Sequence, residues 1–293
     1  MSRCFLPVLF EAAKDDDWHD PAVWERVNPN LGVSLSREYL ERECKRAIES
    51  PAYQNTFRRL HLNVQTESAT AWLDLARWDA CQADFHPDDL EGRPCFAGLD
   101  LASTTDLTAF VLFFHNDGGA VLPFFWAPRE GARKREEKDR VPYSTWARDG
   151  HLTLTEGNVC DYAAVRQRIQ ELAEIFEIRG IAFDRWGATQ LVTQLREDGH
   201  EVVAFGQGYA SMSAPSKELE KLVLGGQLRH DGHPVLRWNV TNVVVETDAA
   251  GNVKPSKKKS TEKIDGIVAL VMAVGLAAAT EEPPEWCPEI VVL

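Results

Sequence analysis

Apolar and polar positions fall into short blocks along the chain, and the blocks change character near residue 92. Over 93–280, apolar runs alternate with helical patterns, which is the order of an α/β domain. Residues 96–101 and 107–114 read as buried strands. "NDGG" at 116–119 supplies positive-φ positions for a hairpin into a strand over 120–126, so the sheet opens as an antiparallel meander. Asp161 caps a predicted helix whose apolar residues Val165, Ile169, Leu172 and Phe176 share one face. A strand over 178–183 ends at Asp184. A helix over 188–198 stops at Gly199, and a strand over 201–205 completes a right-handed crossover. Pro215 reads as the start of a helix ending at Gly225 and Gly226. Strands are expected over 235–238 and 241–247, followed by a "DAAGN" turn. The last helix, over 260–279, is apolar on nearly every side beyond its first turn and therefore belongs inside the domain.

The pattern over 1–92 is different. A strand-like start, "CFLPVLFEA", runs into an acidic loop and then into predicted helices at 36–49 and 51–60. Ser36 is placed to cap the first helix, with Glu38 near its positive end. Trp18, Trp24, Trp72 and Trp78 read as packing anchors of a small helical region. Residues 281–293 carry three prolines and read as an irregular tail.

Composition narrows the classes open to such a chain. A net charge of −13 argues against broad, non-specific adhesion to nucleic acid but leaves room for a local basic site. Two basic clusters stand out. "RKREEKDR" at 133–140 is mixed in sign and reads as a solvated face. "KPSKKKSTEK" at 254–263 directly precedes the last helix and is the better candidate for phosphate contact. The six cysteines form no C-x-x-C pair and read as reduced thiols of a cytoplasm. No signal-peptide pattern opens the chain, and the most apolar segment, 266–279, is shorter than the roughly 20 residues needed to span a bilayer. His230 and His233 in "HDGHP" have ligand-like spacing but no cysteine partner nearby, and read as parts of a polar turn.

Three aspartates are oddly placed for solvent-facing residues. Asp100 interrupts an apolar strand, Asp184 ends one, and Asp265 stands before Gly266 at the mouth of the buried helix. An ionised carboxylate in such surroundings costs several kcal/mol unless it is paired or coordinates a cation. If the first strand and the strand at 178–183 are neighbours and the last helix packs on the sheet, the three converge. Such a donor set suits hard divalent cations, Mg²⁺ or Mn²⁺, and two such ions can drive phosphodiester hydrolysis. The competing reading makes each aspartate a turn or helix cap. Asp106 reads as shaping the turn between the first two strands. Glu262 reads as neutralising the helix N-terminus, and Trp186 as a core aromatic rather than a base-stacking platform.

"GLDLASTTDLTA" also resembles the phosphate loop of the actin, Hsp70 and sugar-kinase superfamily, whose topology is ribonuclease H-like. A second glycine-rich phosphate hairpin and a glycine-rich adenosine motif are not found, and G-x-x-x-x-G-K-[ST] does not occur.

The stretches "FRRLHLNVQTESATAWLDLARWDAC", "FAGLDLASTTDLTAF", "IAFDRWGATQLVTQL", "GQGYASMSAPSKELEKLV" and "HPVLRWNVTNVVVETDAAGNVKPSKKKSTEKIDGIVALVMA", with "VNPNLGVS" near the start, carry a more specific likeness. In that order and spacing the chain resembles the C-terminal nuclease half, with its linker, of the large terminase subunit of tailed bacteriophages. The resemblance implies a ribonuclease H-like mixed sheet flanked by helices over 93–280. Residues 1–92 would be the end of an ATPase domain plus a mostly helical linker. It implies an endonuclease that cuts concatemeric phage DNA with two Mg²⁺ or Mn²⁺ ions, without autonomous ATPase activity. The family's acidic ligands fall on Asp100, Asp184 and Asp265. Lys254, Lys257, Lys258, Lys259 and Lys263 would approach the DNA backbone. Implied partners are double-stranded DNA, the portal protein and the small terminase subunit, with no membrane, in the cytoplasm of the bacterial host. A non-catalytic protein of the packaging interface is the alternative of a different class.

Overall fold

The structure, a computed structural model, describes residues 8–13, 16–49, 51–64, 72–102, 106–139, 141–184, 189–260 and 262–280. It divides into two compact units, Met1–Trp72 and Leu73–Leu293.

The first unit holds three helices, α1 (Pro21–Val27), α2 (Arg37–Glu49) and α3 (Pro51–Leu62). Asp20 caps α1 with Pro21 at its first position, the pairing that a pre-set φ and an orphan N–H favour. The Ser36 hydroxyl accepts from the Tyr39 N–H at 3.2 Å, which is the predicted cap of α2. Trp24, Leu40, Phe57 and Leu62 are buried together in a small core. The expected opening strand is not formed by Val8–Ala13. Two bonds, from the Ala12 N–H to the Leu62 carbonyl and from the Asn63 amide to the Phe10 carbonyl, tie that segment to the end of α3, and residues 1–7 lie outside the described residues.

The second unit begins with α4 (Leu75–Ala80) and a 3-10 turn (Pro87–Leu90). Then follow β1 (Pro94–Asp100), β2 (Thr108–Phe114), β3 (Ala120–Pro128), α5 (Ala132–Asp139), α6 (Tyr143–Arg148) and β4 (Thr153–Thr155). The chain continues through α7 (Tyr162–Ile175), β5 (Glu177–Phe183), α8 (Thr189–Glu197), β6 (Val202–Ala204), α9 (Tyr209–Leu224) and β7 (Arg229–His230). It closes with α10 (Pro234–Asn242), β8 (Val245–Thr247), β9 (Val253–Pro255) and α11 (Asp265–Thr280). Trp78, expected among the anchors of the N-terminal region, lies in α4 of this unit and stacks on His230. Seven strands form one mixed sheet in the order β4-β3-β2-β1-β5-β6, with β7 also on β3. β1, β2 and β3 are the predicted antiparallel meander, whereas β5 runs parallel to β1 and β6 parallel to β5.

Strand alternation assigns the two faces. Cys95, Ala97 and Leu99 of β1 pack in one cluster with Val165, Ile169 and Leu172 of α7. Gly98, of opposite parity, faces α11 so closely that a Cβ there would lie 1.8 Å from the Ala269 carbonyl oxygen. The sheet is therefore covered by α7 on one side and by α11 on the other. α11 is buried from Asp265 to Ala277, as its all-round apolarity requires.

Several predicted elements are corrected. Pro215 does not begin a helix, because α9 starts at Tyr209 after Gly208 and carries Pro215 inside it. Pro215 is buried there, packed toward Gly275 of α11, so tertiary packing retains a helix that proline weakens locally. The strand expected at 235–238 is the helix α10. Pro234 occupies its first position, the His233 ring accepts from the Leu236 N–H, and Val235, Leu236, Asn239 and Val240 are buried at helical spacing. Of the strand expected at 241–247, only Val245–Thr247 is extended. The last helix begins at Asp265 rather than at 260, since a serine-closed turn occupies the preceding segment. The predicted turn residues Thr105, Ser103 and Thr104, as well as Trp186 and the 281–293 tail, lie outside the described residues. No described helix is long and apolar enough to cross a membrane.

Candidate active site

β1 and β5 pair in parallel with Leu99 opposite Phe183, so Asp100 and Asp184 stand at the same end of adjacent strands. Asp100 has the parity of Gly98 and thus faces α11, whose first residue is Asp265. Both Asp100 and Asp265 are almost wholly buried, at 3% and 1% exposure. Gly266 lets α11 enter at this point, since a Cβ there would meet Phe125 and the Asn239 amide oxygen below 3.0 Å. The same oxygen accepts the Gly266 N–H at 2.7 Å, and the Asn242 amide reaches the Lys263 carbonyl at 3.5 Å. Two asparagines one turn apart on α10 thus anchor the entry to α11.

The Lys257 ammonium stands between the two buried carboxylates, 2.7 Å from Oδ2 of Asp100 and 2.7 Å from Oδ1 of Asp265. The contact to Asp265 is a hydrogen bond. The contact to Asp100 is an ion pair at the same distance, and Oδ2 of Asp265 remains buried without a donor. Burial raises the Asp100 pKa to about 7; Lys257 opposes the shift, and the charges of Asp265 and Asp184 add to it. Burial likewise raises Asp265 against the pull of Lys257. For Lys257 itself burial works downward, but the charges and hydrogen bonds of Asp100 and Asp265 outweigh it and raise its pKa.

Two buried carboxylates that share one ammonium, with Oδ2 of Asp265 left without a donor, fit the donor chemistry of a hard divalent cation. As they stand, however, no three His, Cys, Asp or Glu side chains among the described residues converge as a ready-made metal cage. Lys257 bridges Asp100 and Asp265 instead.

The remaining predicted residues separate. Lys263 is committed to Asp106, with Nζ 2.5 Å from Oδ1, and Asp106 therefore acts through this pair. The Thr108 hydroxyl bonds both the N–H and the carbonyl of Ala102. Lys254 lies over the Tyr209 ring and 3.9 Å from Glu246, whereas Lys258 and Lys259 are exposed. Lys254, Lys257 and Lys258 line a cleft of about 500 Å³ with Gln207, Met212 and Glu246. His230 and His233 are buried rather than displayed on a polar turn. The first bonds the Trp78 carbonyl and the Gly232 N–H, and the second caps α10 with its pKa lowered by burial to about 3. Cys44, Cys81, Cys95 and Cys160 are buried free thiols.

Sequence reasoning missed Asn239, Asn242, Ser256, Ser260 and Glu246. The one available signal was the pair of serines bracketing the lysines in "SKKKS", a residue type that bonds nearby backbone.

An antiparallel β1–β3 meander continued by parallel β5 and β6, with carboxylates ending the two central strands, is the ribonuclease H-like class of mixed α/β fold. Residues 4–281 match the family model described as "Terminase large subunit, endonuclease domain". The chain belongs to that family. It is 38% identical over 277 residues to the terminase large subunit of Enterobacteria phage HK97, covering 92% of this chain and 54% of that protein. It is 33% identical over 288 residues to protein YmfN of Escherichia coli K12, covering 94% and 63%. The crystal structure of the HK97 large terminase matches with a TM-score of 0.65 at 38% identity, over 91% of this chain and 56% of that one. The chain therefore spans less than two thirds of the length of each of these relatives.

Proposed function

We propose that this chain is a metal-dependent DNA endonuclease of phage genome packaging that cuts concatemeric DNA by two-metal phosphodiester hydrolysis. The observation that carries this is the pair of buried carboxylates, Asp100 and Asp265, sharing the one Lys257 ammonium, with Asp184 just past the end of the next strand. Asp100, Asp184 and Asp265 would hold Mg²⁺ or Mn²⁺. Two such ions, when bound, activate water and neutralise the attacking and leaving oxygens of a phosphodiester. The protein's own contribution is orientation and charge. Burial of Asp100 and Asp265 on a strand and a helix keeps them from rotating into water, and Lys257 limits their mutual repulsion. Lys258 and Lys259, exposed on the same loop, would contact backbone phosphates, and Lys254 would do so from the edge of the cleft. Lys263 contributes less, being held by Asp106. Double-stranded DNA is the proposed substrate. The portal protein and small terminase subunit are the proposed partners, in the cytoplasm of the bacterial host.

Plasmid cleavage in Mg²⁺ or Mn²⁺, beside Asp184→Ala and Asp265→Ala, tests the reading. Cleavage lost in both variants is expected; cleavage unchanged in either removes the proposed site. A protein that neither nicks DNA nor binds metal, yet binds portal, would be the non-catalytic packaging protein instead.

A further inference from the structure

We propose that Ser256, Ser260 and Glu246 are positioning residues that hold the Lys257 ammonium between Asp100 and Asp265. The inference rests on the nuclease reading of that site for its catalytic meaning, but not for its geometry. Lys257 lies on the loop between β9 and α11, and its side chain is 39% exposed. A long, flexible, strongly hydrated side chain on such a loop leaves for water unless its backbone is fixed.

The residue immediately before it is fixed at every polar atom. The Ser256 N–H donates to the Val244 carbonyl at 2.8 Å, extending the β8–β9 ladder by one bond. Its hydroxyl donates to Oε1 of Glu246, on β8, at 2.5 Å. Its carbonyl accepts from the Lys259 N–H at 3.2 Å, the Ser260 N–H at 3.0 Å and the Ser260 hydroxyl at 2.7 Å. The Ser260 hydroxyl in turn accepts the Val244 N–H at 3.1 Å. Val244, which precedes β8, thus grips both ends of a single turn. All three lysines of that turn have exposed stems, but the Lys257 ammonium reaches the two carboxylates. Ser256 is 4% exposed, whereas the Glu246 side chain it binds is 23% exposed, so loss of the hydroxyl releases Glu246 to water and unties the turn from β8.

The test labels the purified protein with an amine-reactive reagent and compares Lys257 with Lys258 by peptide mass spectrometry, alongside duplex cleavage kinetics and thermal melting. In the unsubstituted protein Lys257 labels several-fold more slowly than Lys258. Ser256→Ala and Glu246→Ala abolish that protection without a large change in melting temperature. Glu246→Gln, which keeps an oxygen for the Ser256 hydroxyl, preserves it. Cleavage by Ser256→Ala loses about tenfold or more in kcat with little change in KM. The loss disappears when Ser256→Ala is made in a Lys257→Ala background, as non-additivity through one shared residue demands. Unchanged Lys257 protection in Ser256→Ala, or a kcat loss that persists on top of Lys257→Ala, overturns the proposal. If the unsubstituted protein cuts no DNA with any divalent ion, the nuclease reading fails while the labelling comparison still decides the positioning role.

Discussion

Gly98→Ala perturbs the contact on which the site is built. A Cβ at Gly98 would sit 1.8 Å from the carbonyl oxygen of Ala269, 2.7 Å from its carbonyl carbon and 3.1 Å from its Cα. All three are backbone atoms of a helix buried along its length, so no side-chain rotation relieves the overlap. Reaching even a 3.0 Å separation requires β1 and α11 to part by about 1.2 Å. Overpacking in a close-packed interior costs about 1–3 kcal/mol, and a backbone-to-backbone clash belongs at the top of that range. Alanine's smaller unfolded-state entropy returns about 0.4–1 kcal/mol. The net expectation is about 2–3 kcal/mol of destabilisation, or about 4–12 °C in Tm for a unit of this size. Function should suffer beyond stability. Gly98 lies two residues from Asp100, and Ala269 lies one helical turn from Asp265, so the same separation pulls the two carboxylates apart. A displacement of about 1 Å at a reacting centre costs about 100-fold in rate. Urea unfolding and plasmid cleavage by the still-folded variant measure the two effects. An unfolding midpoint equal to that of the unsubstituted protein would refute the close-approach reasoning. A destabilised variant with full cleavage would refute the link to the site.

Two further expectations follow from the same geometry. The folded-state pKa of Asp100 lies above its ordinary value, so the native state binds more protons than the unfolded chain between about pH 4 and about pH 7. Without divalent ions, its contribution to stability is therefore present at the acid end and lost as pH rises through that window; Asp100→Asn should flatten the dependence in chelator and raise Tm at neutral pH, and a Tm–pH curve identical in both proteins would count against it. Asn239→Leu removes the acceptor of the buried Gly266 N–H, which should cost about 1–3 kcal/mol and lower cleavage by loosening Asp265; a melting temperature within error of the unsubstituted protein would show that the bond is dispensable.

What was legible in the residues were local and periodic features. The buried strand at "FAGLDL", the "NDGG" hairpin and the Asp161 cap depend on neighbours a few positions away, and the structure has all three where expected. The all-round apolarity of α11 likewise required burial, and α11 is buried. Three aspartates at apolar boundaries could be singled out because their desolvation cost is a property of the immediate sequence. Elements whose state depends on distant partners were misread. "PVLRWNVTN" is rich in β-branched and aromatic residues, yet forms α10 because its apolar spacing meets α11 and its asparagines meet Lys263 and Gly266. Pro215 weakens a helix locally but is held within α9 by packing toward Gly275. The largest decision left to tertiary structure concerned Lys257. Within the sequence it is one of three identical lysines, and nothing local separates it from Lys258 or Lys259. Only the closing of a serine-bound turn against β8, next to a strand and a helix brought together from residues 100 and 265, turns one of them inward onto two carboxylates. Charge and periodicity are written residue by residue, whereas the meeting of charges depends on chain segments far apart in sequence, and packing alone sets that distance.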